Sequence, residues 1–445
     1  MTTARRTLLG IAACLVLVMS ACSSDSSSDD ATTGSSTTGK SATDTPVTAK
    51  ADQHPCAWAT RADKATLNVA YPDTAATYWA LSYRLAAGER IELDGTLPDA
   101  RYFSFITYRP AGGAVDVLTD RDLTMDDDVP NPFAGDDGAL DGQRYTMTIR
   151  GDVGSDASGN DLGAKPDGAD DDPTAMTLPP DLAAKAGPDA VGSGEPGDVA
   201  GTVLYRVYVS ADADDPTGGG GLPAVTVVGA DDERTVVPTC PAPGRGSLAG
   251  AIVERYGPST DTAAPSQPVF IRPKGSAANL YPNPDNVYVA TIVHHEPGRI
   301  VVVKGKAPTF PDPADRRPIG GDEQVRYWSM CTNEWRKPYP VTECATDAET
   351  ALDDSGTFTY VISTPEDRPA NATDANGITW LDWGSTEVDA LLLMRHMLAS
   401  PSFPESAVNL EPGALATTSM GPYAPRGAYC TTSEFEAGAP ACDPS

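Results

Sequence analysis

The sequence predicts a mainly β protein: two tandem antiparallel β-sandwich modules, jelly-roll-like, arising by internal duplication. Three observations predict it. Glycine (41) and proline (40) are abundant, and no long helical pattern of Leu, Glu and Lys appears. Short stretches alternate polar and apolar residues between turns rich in Gly, Pro, Asp and Asn. A set of anchors recurs in the same order in both halves, about 200 residues apart. That period indicates a duplicated domain and not a solenoid.

The chain opens with Arg5 and Arg6, then an almost unbroken apolar run of 12 residues from Leu8 to Met19, then Ser20, Ala21 and Cys22. This is the layout of a bacterial lipoprotein signal peptide over 1–21, with Cys22 as the lipidated residue. Met19 stands where Leu is commoner. An ordinary secretory signal with an incidental Cys22 is the lesser reading. The run is short for a transmembrane helix, which needs about 20 residues. Residues 22–52 are nearly all Ser, Thr, Asp, Ala and Gly, with no aromatic residue. Such a stretch cannot bury enough apolar surface to offset its ordering entropy, so it reads as a disordered tether. The expectation is a protein lipid-anchored on the outer face of the cell membrane.

The formal charge is −30, from 62 acidic and 32 basic residues. A field of that sign argues against nucleic acid and against direct contact with anionic headgroups. It suits cationic ligands or a divalent metal, or simply a soluble surface.

Cys14 leaves with the signal and Cys22 is lipidated, leaving Cys56, Cys240, Cys331, Cys344, Cys430 and Cys442. An even number in an exported chain reads as disulfides. Sequence neighbourhood favours Cys331–Cys344 and Cys430–Cys442, which leaves Cys56–Cys240 to tie the start of the first half to its end. No C-x-x-C or Cys/His spacing indicates a metal site.

The repeat sets Asn68, Tyr71, Pro72 and Asp73 against Asn279, Tyr281, Pro282 and Asp285. Tyr78-Trp79-Ala80 follows in one half and Tyr288-Val289-Ala290 in the other. Arg90-Ile91 matches Arg299-Ile300, and Arg101-Tyr102-Phe103-Ser104 matches Arg326-Tyr327-Trp328-Ser329. Tyr145-Thr146-Met147 parallels Tyr360-Val361-Ile362, and LYRVYV (204–209) parallels LMRHML (393–398), aligning Arg206 with Arg395. Strands are predicted at Arg90–Leu93, Tyr102–Tyr108, Arg144–Ile149 and Val203–Val209 and at their counterparts, one face buried, stacked as sandwiches. Helix is expected only in short pieces, near Pro179–Ala186 and Thr346–Ala351. The first module spans 53–257, with an acidic insertion near 151–200 whose composition favours disorder. A Pro-rich linker covers 258–273, the second module 274–420, and a disulfide-tied tail 421–445.

At these anchors the chain resembles a known group. ARYFSFITY, NPF at 131–133 and VLYRVYVSADADDPTGGGGLP resemble exported bacterial proteins of the domain of unknown function twelve-fourteen. RYWSMCTNE, VTEC and LLLMRHMLASPSFP resemble actinobacterial lipoproteins with a duplicated module of this type. The resemblance covers most of 55–420 and implies a β-sandwich fold and an envelope location. It implies no activity. The family's LPRVTL-like ending stands here as LPAVTV after the Gly run at 218–221.

Chemistry-bearing motifs are sparse. His294-His295-Glu296 follows a strand pattern and precedes Pro297-Gly298, so it reads as a turn. Adjacent strand residues face opposite ways, so the two histidines do not share a metal. Only His54 and His396 remain to complete a site. Asp126-Asp127-Asp128 and the Asp-rich stretch from Asp152 to Asp172 suit weak calcium binding or solvated charge, but EF-hand order is absent. No cofactor is otherwise indicated. The glycines at 218–221 lie beside Asp214 and Asp215, which would repel phosphate. No nucleophile motif has its structural setting.

Four arginines occupy duplicated strand positions: Arg101 with Arg326, and Arg206 with Arg395. In so acidic a chain an arginine in an apolar strand pairs with a carboxylate. The duplicated position favours an ion pair within each sandwich, and the other reading is an anion clamp in a groove. Together with His294 they are the candidate binding residues. Tyr78, Trp79, Tyr102, Phe103, Tyr327, Trp328, Trp380 and Trp383 are expected mostly in cores, with a few free to line a groove.

The expected function is binding or scaffolding in the envelope, with an envelope protein or small ligand as partner. The alternative is an envelope hydrolase acting on glycan or lipid. A pocket where His, Asp and Ser converge would favour the enzyme, and an aromatic-lined groove without them would favour binding.

Overall fold

The computed structural model describes residues 55–109, 113–135, 142–151, 175–178, 189–195, 198–244, 266–274, 281–312 and 323–444. The signal peptide, the tether, His54, the predicted helix at Pro179–Ala186, the Asp152–Asp172 stretch and part of the linker lie outside them.

The described residues form four β-sheets, two per module. In the first module the strands are β1 (Thr60–Ala62), β2 (Ala76–Leu85), β3 (Arg90–Thr96), β4 (Ala100–Tyr108), β5 (Ala114–Thr119), β6 (Arg144–Gly151), β7 (Ala175–Leu178), β8 (Val199–Ser210), β9 (Ala224–Val228) and β10 (Arg234–Val237). One sheet has the order β1-β2-β8-β4-β5 and the other β10-β9-β3-β6-β7. The second module holds β11 (Asn286–Val293), β12 (Arg299–Lys306), β13 (Tyr327–Glu334), β14 (Val341–Thr346), β15 (Thr357–Ser363), β16 (Thr379–Asp382), β17 (Ala390–Met397) and β18 (Arg426–Thr431). Its sheets run β11-β17-β13-β14 and β16-β15-β12-β18.

The two orders correspond strand for strand: β2-β8-β4-β5 to β11-β17-β13-β14, and β9-β3-β6-β7 to β18-β12-β15-β16. Both modules break the antiparallel rule at the same place, because β7 pairs parallel to β6 and β16 parallel to β15. The expected tail is not a tail: it supplies β18, which pairs with β12. The short helix at Thr432–Glu436 follows, closed by a capping box between Thr431 and Glu434. Thr346–Ala351, expected as helix, ends strand β14 and then turns.

Each module buries an aromatic core between its sheets. Trp58, Trp79, Phe103, Phe105, Tyr145 and Tyr205 fill the first. Trp328, Phe358, Tyr360, Trp383 and Phe403 fill the second. Gly95 on β3 leaves room for the Tyr145 ring, and Gly305 on β12 does the same for Phe358. Trp380 lies instead on the outer face of the second module's outer sheet, beneath the Arg368 guanidinium at 4.5 Å.

Alternation holds on β3 of the first module's outer sheet, buried at every second residue, but not on β12 of the second, where Ile300, Val301, Val302 and Val303 are all buried. It fails on β4, β8, β13 and β17, which are buried almost throughout. These strands belong to the two inner sheets, whose second faces pack against each other across the modules. Tyr102 and Tyr208 of the first module cluster there with Tyr327 and Met397 of the second. A strand covered on both faces has no solvent side, so the alternation is lost and even its polar residues, Arg101, Ser104, Arg206 and Arg395 among them, are buried.

Three disulfides join Cys56–Cys240, Cys331–Cys344 and Cys430–Cys442, the pairing expected from spacing. The end of the linker lies against the second module, with Ile271 bridging Ala290 of β11 and Leu415.

Candidate functional site

The four arginines are almost fully buried, with exposures of 1–2%. Their pairing is crosswise between modules, which corrects the expectation of an ion pair within each sandwich. Arg101, on β4, donates to Asp347 of the second module at 3.3 Å. Arg326, just before β13, donates to both carboxylate oxygens of Asp120 in the first module at 2.6 Å. Asp120 follows β5 and Asp347 follows β14, so the two carboxylates hold equivalent positions. Each is also fixed by its own inner sheet, by the amide of Phe103 in one case and of Trp328 in the other. The interface is therefore isologous, as in a two-fold dimer fused into one chain. Burial pushes the Asp347 carboxyl up to about 6, with Arg101 opposing the shift. Burial raises Asp120 as well, against the pull of Arg326.

Arg206 and Arg395 follow the same crosswise rule. Arg206 Nη2 donates to the Tyr281 carbonyl at 2.8 Å, and Arg395 Nη2 to the Tyr71 carbonyl at 2.7 Å. Tyr71 and Tyr281 both have positive φ, so the same strained backbone presents both carbonyls. There the equivalence ends. Arg395 Nη1 reaches Asp73 at 3.1 Å and Cys331 Sγ at 2.7 Å. Asp73 also accepts from Ser329 and Tyr327, so its charge is well satisfied. In the other half the matching turn residue is Asn283: Asp73 Oδ1 accepts from Ala75 N–H, and Asn283 Oδ1 from Asp285 N–H. The turn whose carbonyl receives Arg206 thus carries an amide at this position, where the turn that receives Arg395 carries a carboxylate. Arg206 Nη2 donates to the Tyr108 hydroxyl at 2.6 Å, and the guanidinium lies 5.7 and 5.4 Å from the Tyr78 and Tyr108 ring centres. Its Nη1 has no partner among the described residues.

Both arginines line a cavity of about 920 Å³ between the inner sheets. The walls come from β1, β2 and β8 on one side, β11 and β17 on the other, and the linker end at 269–274. Leu67, Leu204, Ile292, Leu391 and Leu393 supply apolar surface, and Tyr71, Tyr78, Tyr208, Tyr281, Tyr288 and Trp335 supply rings. Arg272 and Lys274 add two more cations. Among the described residues the lining contains no Asp, Glu, His, Ser or Cys. Asn286 also lines the cavity, and its buried side-chain oxygen has no hydrogen-bond partner among the described residues.

Other candidates lie elsewhere. Arg101 and Arg326 do not line the cavity and serve the interface. His294 sits in the turn after β11, exposed, with Nδ1 2.6 Å from Asp389, and it does not line the cavity either. The His295 ring instead lies 5.5 Å from the centre of Trp383. His396 is buried on β17, where burial pushes its pKa down to about 4. The glycines at 218–221 belong to a turn whose amides are taken by Asp215, which accepts from Thr217 and Gly219. That leaves no cradle for phosphate. The one metal-compatible group among the described residues is Asp73 with Cys331 and Cys344, whose sulfurs are joined in a disulfide and whose carboxylate faces Arg395.

The sequence did not bring forward Asp73, Asp120, Asp347, Tyr108 or Asn283. A signal existed in Tyr71-Pro72-Asp73 against Tyr281-Pro282-Asn283. Aligning Asp73 with Asp285 hid the loss of charge, since the structure places Asp285 opposite Ala75: each residue's carbonyl accepts from the end of its module's last inner strand, at Val209 or Leu398.

No family model matches this chain. No curated protein matches either. Among solved structures, the chain is similar to an uncharacterized protein from Burkholderia cenocepacia, with TM-score 0.46 and 11% identity over 82% of this chain and 79% of that one. It is also similar to a protein from Vibrio parahaemolyticus, with TM-score 0.36 and 11% identity over 74% of this chain and 86% of that one.

Proposed function

We propose that this chain is a lipid-anchored binding protein of the cell envelope whose ligand occupies the cavity between the two inner sheets. The observation that carries the reading is the 920 Å³ cavity walled by leucines and tyrosines. Ligand sites have volumes of roughly 300–1,000 Å³, apolar walls and a few placed polar groups. The lining supplies no nucleophile–base pair among the described residues, so binding is favoured over an envelope hydrolase. The anchor rests on Arg5, Arg6, the run from Leu8 to Met19 and Cys22. Three disulfides agree with export. The shared strand order supports an origin by duplication, with the cavity as a product of that event, since neither module encloses it alone.

Native mass spectrometry of the exported, disulfide-bonded chain tests the reading. A retained organic adduct, lost when Leu391 is enlarged to Trp, supports it. A bare mass after exposure to envelope extract opposes it and favours a scaffold. Cys22→Ala, followed by membrane fractionation, tests the anchor: release from the membrane is expected.

A further inference from the structure

We infer that the cavity takes an amphipathic anion, an acyl-type chain ending in a carboxylate or phosphate, with the anionic group docked on Arg206. The inference rests on the cavity being a ligand site and adds the chemistry of the ligand.

Arg206 carries the argument. A guanidinium that is 2% exposed and has one terminal nitrogen unmet is costly to bury. The pseudo-symmetry shows what would satisfy it. Arg395, in the equivalent position, holds a carboxylate, Asp73. The chain places Asn283 at the corresponding point of the other half; the neighbouring Asp285 carboxylate accepts from Tyr102 and makes no ion pair with Arg206, so Arg206 has no carboxylate partner among the described residues. The tyrosine faces beside Arg206 hold the cation without neutralising it.

The lining agrees. In a chain with 62 acidic and 32 basic residues, the described lining has no carboxylate and four cations, of which Arg395 is already paired with Asp73 behind the wall. That local sign inversion draws an anion inward and turns a cation away. Much of the remaining wall, including Leu204, Ile292, Leu391 and Leu393, is apolar, with Thr60, Thr291, Asn283 and Asn286 as its few small polar side chains. It suits a hydrocarbon chain. A guanidinium receives carboxylate and phosphate with the same fork of donors, so either head fits.

The test is calorimetric titration of the full exported chain carrying Cys22→Ser, after delipidation. The probes are oleate, oleyl phosphate and oleyl alcohol. At least one anion should bind about tenfold or more tighter than the alcohol, and the tighter anion identifies the head. Arg206→Met should lower anion affinity about 10- to 100-fold and leave the alcohol unchanged. Leu391→Trp should weaken all three. If the alcohol binds wild type as tightly as both anions, the anion assignment fails while the cavity reading stands. If none of the three binds, both fail. If the anions outbind the alcohol but Leu391→Trp leaves them unaffected, they bind elsewhere and the inference fails. Should Arg206→Met not fold, the wild-type anion-to-alcohol ratio and Leu391→Trp still decide.

Discussion

Arg101 of the first module reaches across the interface to Asp347 of the second, 3.3 Å away, with both side chains buried. Its mirror, Arg326 to Asp120, runs the other way at 2.6 Å. Two oppositely directed pairs fix both the spacing and the register of the inner sheets. A charge removed from this layer leaves its partner without compensation in a region that water does not reach.

Truncating one member should therefore cost far more than replacing both. Asp120→Asn and Arg326→Met are each expected to destabilise by about 3–5 kcal/mol, because each strands a buried charge. The double variant should recover much of that loss. Urea unfolding of the two single variants and the double variant measures the coupling. Additive losses would show that the two side chains do not act as a pair.

The disulfides should differ in weight. Cys56–Cys240 spans 184 residues and Cys331–Cys344 spans 13. Loop-closure entropy then assigns about 5 kcal/mol to the first and about 3 kcal/mol to the second. Thermal melts of the paired Cys→Ala variants should show a larger drop for Cys56/Cys240. An equal drop would mean that contacts near Cys331, including Arg395, dominate over chain entropy.

Gly95 and Gly305 should not tolerate alanine. A Cβ would lie 2.4 Å from the Tyr145 ring in one case and 2.6 Å from the Phe358 ring in the other. Overpacking of this kind costs about 1–3 kcal/mol per site. An unhindered Gly→Ala change would instead stabilise by about 0.4–1 kcal/mol. The sign of the shift in denaturation midpoint for each variant decides between the two.

His396 gives the pH dependence. Burial lowers its pKa from 6.5 to about 4, so the unfolded chain takes up a proton first as pH falls. Its contribution is complete above about pH 6.5 and is lost progressively toward pH 4. Between pH 7.5 and 5 the loss amounts to about 2 kcal/mol. Asp347 works in the opposite sense: its folded pKa is raised to about 6, so from that pH downward the native state gains protons first. Comparing wild type with His396→Gln at both pH values isolates the histidine, since Asp347 is common to both. Equal pH dependence in the two proteins would remove His396 from the account.

Local chemistry made much of the fold legible. The RIELDG and RIVVVKG strands, the turns after them and the three disulfides depend on neighbours close in sequence or on simple pairing of six cysteines. The duplicated arginines were visible too, but their partners were not. Asp347 is 246 residues from Arg101, and Asp120 is 206 from Arg326. No local pattern reports a contact of that range.

By itself, the sequence determined the β class, the two-module order and an arginine at each equivalent strand position, and it favoured the cysteine pairing that the structure shows. These follow from side-chain period, turn residues and spacing, all local properties of the chain. The tertiary structure alone decided that the inner sheets face each other, that the ion pairs cross between modules, and that Arg206 lies unneutralised beside a cavity. The reason is physical: which carboxylate meets which guanidinium, and what space remains between two packed sheets, depends on how whole layers dock.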